Sequence, residues 1–374
     1  MGCICDCLRY CCEETVNKKT EEKEKQTKNE IISDKKTVSP VIEFDTPLEA
    51  DLTDKRLISE DNVKQEIQKS FKGGNSSYGS IKRRQMKNVI EKEEHRIVTK
   101  FLRQIKCDLI GICGSGQYAD VFHIRHKEKR RDLALKVMDI GKVDQNYLNN
   151  FLPKELKILR EMPKHQNLIR IYLIKEVERR IFIVMEFASK GTLTDWIKQN
   201  GAMTERVAQV VFPQILNGVD ALHSINIAHR DLKLENILMT KSSNPKITDF
   251  SYAIDVDPNK PLSAQYCGSL PYFSPEILQR QPHNPLLSDI WSIGVCFYIL
   301  LNDGLPFKLG DDSVMLQKQL DKDWKFRKNI EPNLSEDIKH IIKSLLEPKP
   351  ELRPTTAILK SKNWFKNFEK LDQK

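Results

Sequence analysis

The 374-residue sequence has no apolar run long enough to cross a bilayer. The longest, residues 290–301, contains Ser292, Gly294 and Cys296 and fits a buried core helix. No apolar h-region follows Met1, so no secretory leader is expected and the chain is expected to be cytoplasmic. There are no internal repeats. Bases outnumber acids by 61 to 52, for a net charge of +9, but they form no stripe, and over residues 1–100 the two signs nearly balance. Nucleic acid is therefore not an expected partner; acidic partners or phosphate ligands account for the excess. No histidine precedes His95, so the cysteines at 3, 5, 7, 11 and 12 lack the companions and spacing of a common zinc template. Ten residues follow Trp364, which leaves little room for a C-terminal regulatory segment; residues 367–374 read as a short tail.

What is present divides the chain into segments. Residues 1–12 form a cysteine-rich start. Residues 13–104 are rich in Lys, Glu, Asn, Ser and Thr, with isolated apolar residues, and read as low-complexity and mostly disordered. Such a composition buries too little apolar surface to offset the entropy of ordering. Short helices are conceivable there around residues 61–69 or 86–96. From about Ile105 the texture changes. Residues 133–137 and 181–187 are apolar runs with strand character, and residues 152–160 read as a helix with Leu152, Leu156 and Leu159 on one face. Val207, Val211, Ile215, Val219 and Leu222 recur at helical spacing, with Pro213 expected to interrupt the pattern. Strands first and helices afterwards suggest an α+β domain of two lobes with a cleft between them, over residues 105–366. The scattered Cys107, Cys113, Cys267 and Cys296 are expected to be reduced thiols.

The chemistry lies in five components that recur in one order. Gly114-Ser115-Gly116-Gln117-Tyr118-Ala119-Asp120-Val121 supplies a glycine-containing turn that lets backbone approach phosphates, although a glycine hairpin alone says little. Lys136 follows in Ala134-Leu135-Lys136-Val137, at the end of a strand-like run. Glu155 lies on the expected helix, where it can pair with Lys136 and aim it at the α and β phosphates of ATP. His229-Arg230-Asp231-Leu232-Lys233-Leu234-Glu235-Asn236 provides a catalytic base in Asp231, a cation in Lys233 to neutralise the transferring phosphoryl group, and a metal ligand in Asn236. Asp249-Phe250 provides a second carboxylate, so that Asn236 and Asp249 would hold Mg2+. Taken singly, each Asp or Asn would be a turn or a helix cap. Together and in order they specify phosphoryl transfer.

On these residues the region 105–366 resembles the eukaryotic protein kinase domain, which implies a bilobal fold with a small β-rich lobe and a larger helical one. Lys233 resembles the serine/threonine form. Ser274-Pro275-Glu276 resembles the Ala-Pro-Glu motif, and the resemblance pairs Glu276 with Arg353 and makes Asp289 the brace of the catalytic loop. Cys267-Gly268-Ser269-Leu270-Pro271-Tyr272 is similar to the calcium/calmodulin-dependent-like group. Asp249-Phe250-Ser251-Tyr252 and the string from Leu262 to Cys267 look most like testis-specific serine/threonine kinases. The resemblance also implies that Val121, Ala134 and Leu238 enclose adenine, that Glu186 and Ala188 offer hinge backbone groups, and that Met185 guards the back pocket. The implied activity is transfer of the ATP γ-phosphate to protein hydroxyls. The rival is a pseudokinase scaffold that binds nucleotide or partners without transfer. A metabolite kinase on the same fold is disfavoured by residues 267–276.

Three positions depart from the pattern. Ala119 replaces a loop glycine, Ser251 replaces the glycine after Asp249-Phe250, and Gln265 stands where relatives carry a phosphorylatable threonine that would face Arg230. Phosphorylation at that position is therefore not expected to be needed, with Ser263 as a candidate substitute site. Glu235 is a candidate attractor of a basic substrate residue, but Thr192 stands where basic-directed relatives often carry a second acid. At the other end, Met1-Gly2-Cys3 resembles the start of dually acylated proteins. Gly2 is the candidate myristoylation site and Cys3, Cys5 and Cys7 the candidate palmitoylation sites, with Asp6 replacing the usual Ser or Thr. A membrane surface is the expected partner of such an N-terminus.

Overall fold

A computed structural model describes residues 92–366 apart from 117, 118 and 178. All of them lie in the larger of the two units into which the chain divides, residues 40–374. The candidate acylation sites Gly2, Cys3, Cys5 and Cys7 and the helix considered around residues 61–69 fall outside the described residues.

The first described element is helix α1, Lys92–Gln104; it lies at the end of the segment read as mostly disordered and overlaps the short helix considered around residues 86–96, extending it to residue 104. Ile97, Val98, Phe101 and Leu102 recur at a spacing of four and face one side, where all four are buried. They pack on strands β1 (Cys107–Ser115), β2 (Ala119–His126), β3 (Asp132–Asp139) and β5 (Arg180–Glu186); the Phe101 ring stacks on Phe182 at 4.2 Å. An isolated helix of this length and charge is marginal in water, so its stability comes from that contact. The ordered domain thus starts before residue 105.

With β4 (Ile171–Val177), these strands form an antiparallel sheet in the order β1-β2-β3-β5-β4. Period-two alternation assigns its faces. Leu133, Leu135 and Val137 with Phe182 and Val184 face α1. Ala134 and Met138 with Ile181, Ile183 and Met185 face the opposite way, into the larger core. Lys136 is in register between Ala134 and Met138, so its side chain leaves the sheet on the cleft side. Helix α2 (Gln145–Asn150) begins at the Asp144 cap, whose carboxylate accepts from the Tyr147 N–H at 2.9 Å. Helix α3 (Leu152–Glu161) follows and carries Glu155.

The second lobe is helical. After helix α4 (Leu193–Asn200), helix α5 (Glu205–His223) runs unbroken through Pro213, contrary to the expected interruption. Both faces of α5 are buried, so packing outweighs the missing backbone hydrogen bond. A short helix α6 (Pro275–Leu278) precedes helix α7, Pro285–Asn302. α7 is long and apolar enough to span a membrane by length and composition, yet it is mostly buried within the domain. Phe212 and Phe297 stack at 3.8 Å where α5 and α7 meet. Helix α9 (Glu336–Leu345) packs on α7, after helix α8 (Asp312–Leu320). The candidate site residues sit between these lobes: Asp231, Lys233 and Asn236 on the segment linking β6 (Ile227–Ala228) to β7 (Ile237–Met239), and Asp249 just after β8 (Pro245–Ile247).

Candidate active site

A cleft of about 670 Å³ opens between the sheet and the helical lobe, a size that suits a nucleotide. It is lined by Gly114, Gly116, Ala119, Val121, Ala134, Lys136, Glu155, Met185, Glu186, Ala188, Leu238, Asn236 and Asp249, so the structure gathers all the expected nucleotide and metal residues around one space. The glycine turn closes tightly, with the Gly116 N–H donating to the Ala119 carbonyl at 2.9 Å. At the hinge the Glu186 N–H is taken by the Arg170 carbonyl at 2.8 Å, and the Glu186 carboxylate pairs with Lys246 at 2.8 Å. What Glu186 can offer a base is its own carbonyl.

Lys136 Nζ lies 2.9 Å from Glu155 Oε1 and 3.3 Å from Asp249 Oδ1. Burial alone would push the Lys136 ammonium down, but Glu155 and Asp249 outweigh it and hold it above its ordinary range. Burial likewise favours a neutral Asp249, yet Lys136 and a hydrogen bond from Ser251 bring its carboxyl down to about 2. Both groups are therefore charged near neutrality. Asp249 sits at φ 64°, whereas Ser251 avoids the left-handed region, so the position after Asp249-Phe250 does not require glycine in this conformation.

Asp231, the candidate base, is held from several sides. Lys233 Nζ approaches Asp231 Oδ2 at 2.8 Å, and Ser269 Oγ donates to Asp231 Oδ1 at 2.8 Å. Lys233 also donates to Ser269 Oγ at 2.8 Å. The Asn236 amide donates to the Asp231 carbonyl at 2.9 Å and to Oδ2 at 3.1 Å, which leaves the amide oxygen of Asn236 as an acceptor. That oxygen and the Asp249 carboxylate make a hard-oxygen donor set suited to Mg2+.

The loop carrying Asp231 is tied down by its backbone. Asp289, on α7, accepts from the His229 N–H at 2.7 Å and the Arg230 N–H at 2.8 Å, the bracing role the resemblance implies. His229 Nε2 faces the Thr248 carbonyl at 3.0 Å, which can only accept, so Nε2 carries the proton and Nδ1 accepts from the Asp231 N–H. Arg353 meets Glu276 in a two-pronged pair at 2.7 and 2.8 Å, buried as the resemblance implies.

Gln265 faces Arg230: Arg230 Nη1 donates to Gln265 Oε1 at 2.7 Å. Ser263 forms a backbone bridge with His283, and its hydroxyl accepts from the Gln265 N–H at 3.2 Å. Ser263 and Gln265 border a second cavity of about 330 Å³ that Lys154 and Lys260 also line. Thr192 is occupied as a helix cap, its side chain accepting from the Asp195 N–H, while Glu235 remains exposed.

Sequence reasoning missed the roles of two residues here. Ser269 is legible only as part of a family string, although a hydroxyl at that place is the needed donor to Asp231. Tyr147, whose hydroxyl donates to Glu155 Oε2, gives no sequence signal, because a tyrosine eight positions before a glutamate has no fixed relation to it.

Comparison with known proteins agrees with the geometry. The family described as the protein kinase domain matches residues 108–365. Human testis-specific serine/threonine-protein kinase 4 is 35% identical over 273 residues, covering 68% of this chain and 81% of the relative. Human testis-specific serine/threonine-protein kinase 3 is 35% identical over 254 residues, covering 67% of this chain and 93% of the relative. The mouse testis-specific serine/threonine-protein kinase 2 is 34% identical over 263 residues, covering 69% and 73%.

Proposed function

Because this chain belongs to the protein kinase family and is a serine/threonine protein kinase, we propose that Asp231 is its base and that Lys136, Lys233, Asn236 and Asp249 carry the charge work of transfer. The observation that carries this reading is the set of donors on Asp231: Lys233, Ser269 and Asn236 fix both oxygens of one carboxylate beside the cleft. A carboxylate held in this way accepts a proton from one direction.

In the proposed reaction the substrate hydroxyl oxygen bonds to the γ-phosphorus and the bond to the β–γ bridging oxygen breaks. ADP leaves, and the hydroxyl proton passes to Asp231. Lys136 holds the α and β phosphates, kept in place by Glu155. Lys233 neutralises charge on the phosphoryl group. Asn236 and Asp249 would hold Mg2+, which supplies charge neutralisation on the phosphate oxygens. Val121, Ala134, Leu238, Met185 and Ala188 enclose the base, with Gly114, Gly116 and Ala119 over the phosphates. The test is a magnesium-ATP transfer assay of the full chain beside Asp231→Asn and Asp249→Asn. Wild-type signal with loss in both variants supports the reading, and equal signal from all three defeats it.

Control and cellular place extend the same proposal. Gln265 takes the position of a phosphorylated residue opposite Arg230, so the loop is ordered without phosphate there; Ser263 is the candidate site of added control. The support is the Arg230–Gln265 hydrogen bond. The cysteine-rich start, acylated on Gly2 and on Cys3, Cys5 and Cys7, attaches the kinase to the cytoplasmic face of a membrane. Its support is the Met1-Gly2-Cys3 sequence, and two lipid signals give stable anchoring where one does not. If Gly2→Ala and Cys3→Ser proteins fractionate like wild type, that part fails.

A further inference from the structure

Two hydroxyls flank the ion pair at Lys136, Tyr147 behind Glu155 and Ser251 between Lys136 and Asp249, and transfer chemistry alone requires neither. Glu155 is almost wholly buried, with 1% of its surface exposed. Its Oε1 accepts from Lys136 at 2.9 Å, and its Oε2 accepts from the Tyr147 hydroxyl. On the other side of Lys136, Ser251 Oγ donates to Asp249 Oδ1 at 2.7 Å and lies 3.4 Å from Lys136 Nζ. The same Oγ is 3.5 Å from Glu155 Oε1. A serine hydroxyl has one proton, so the short bond to Asp249 takes it and the lone pairs receive Lys136. Tyr147, Glu155, Lys136, Ser251 and Asp249 therefore form one continuous chain of donors and acceptors across the cleft.

The surroundings make this arrangement costly to disturb. Tyr147 is buried on α2, a helix capped by Asp144, and its ring packs beside Phe151 at 5.9 Å. Phe151 in turn meets Tyr252 edge to face at 5.4 Å, which connects the start of α3 to the residue after Ser251. Burial and the nearby Glu155 carboxylate hold the Tyr147 phenol above its ordinary range, so it remains a donor throughout the working pH range. Without the hydroxyl, Glu155 Oε2 would be a buried carboxylate oxygen stripped of this donor, and the carboxylate would turn to find another. Without Ser251, Asp249 Oδ1 would keep, among the described residues, the longer contact to Lys136 at 3.3 Å.

We propose that Tyr147 and Ser251 are positioning residues that set the two ends of this relay, Tyr147 orienting Glu155 and thereby Lys136 for the nucleotide phosphates, and Ser251 orienting Asp249 for magnesium. The proposal rests on the phosphotransfer reading, and binding measurements separate the two. Affinity of the full chain for ATP is measured with and without magnesium, beside kcat and KM, for wild type, Tyr147→Phe, Ser251→Ala and Ser251→Thr. Thermal unfolding establishes that each variant is folded.

Tyr147→Phe is expected to weaken ATP binding about tenfold in both conditions. Ser251→Ala is expected to leave magnesium-free binding within about twofold of wild type and to reduce the gain from magnesium about tenfold, and Ser251→Thr restores that gain. A folded Tyr147→Phe protein with wild-type affinity overturns the role of Tyr147. Equal loss in both conditions for Ser251→Ala, or no rescue by threonine, overturns the role of Ser251. If Tyr147→Phe does not fold, the magnesium split in the serine variants decides the proposal. A wild-type chain that binds magnesium-ATP but transfers nothing fails the phosphotransfer reading and leaves the binding comparison standing.

Discussion

The guanidinium of Arg230 donates to the side-chain amide of Gln265 at 2.7 Å, across 35 residues of sequence. Arg230 is buried, its Nε donates to the Tyr252 carbonyl at 2.6 Å, and its Nη2 has no hydrogen-bond partner among the described residues. A neutral oxygen thus meets a buried cation that a phosphate would meet in related loops. Gln265→Leu removes that oxygen and is expected to lower initial velocity about tenfold, whereas Gln265→Glu keeps an oxygen there and retains activity. Equal velocities for the leucine variant and wild type would show that the contact does not order the loop.

The start of the domain makes a second prediction. Phe101 is 1% exposed and stacks on Phe182, so Phe101→Ala opens a void between α1 and the sheet. The expected loss is about 3–5 kcal/mol, measured by urea unfolding. A chain starting at residue 106 should show the same weakness, and one starting at residue 92 should not.

The Glu276–Arg353 pair contributes to acid stability. Burial favours a neutral Glu276, but the bonds from Arg353 outweigh it and hold the carboxyl below its ordinary value of 4.5. A depressed carboxyl stabilises the fold above its unfolded value, and that contribution is lost as pH falls through the folded one. Unfolding measured downward from about pH 4.5 should therefore show falling stability, with a shallower slope in Glu276→Gln. Arg353→Met leaves the carboxylate buried and unpaired, and is expected to cost about 3–5 kcal/mol near neutrality.

Gly268 lies against the backbone of Arg230 with φ 108°, a conformation that favours glycine. A Cβ there would fall 2.6 Å from the Arg230 carbonyl oxygen. Gly268→Ala is expected to cost about 1–3 kcal/mol of local strain and to lower kcat more than the melting temperature. Steady-state kinetics beside calorimetry provide the check.

Several features are legible in the amino-acid sequence because they are local or rigidly spaced. Alternation along β3 places Lys136, and a helix face places Glu155. Asp231, Lys233 and Asn236 occupy one turn, so their proximity is a consequence of sequence. Helix α1 is harder to see. Its apolar pairs sit among many charges and bring stability only when pressed on a sheet that lies later in the chain. Pro213 misleads for a related reason: a proline weakens a helix by itself, but burial on both faces keeps α5 whole.

The sequence by itself determined which reaction this protein carries out, because phosphoryl transfer needs a few charged groups whose types and order are written along the chain. Tertiary structure alone decided which hydroxyl or amide each of those groups meets. Tyr147 on Glu155, Ser269 on Asp231 and Gln265 on Arg230 are contacts between segments brought together only by folding. A side chain encodes that it can donate or accept. Its partners are fixed by the packing of the lobes, which leaves only a few neighbours within reach.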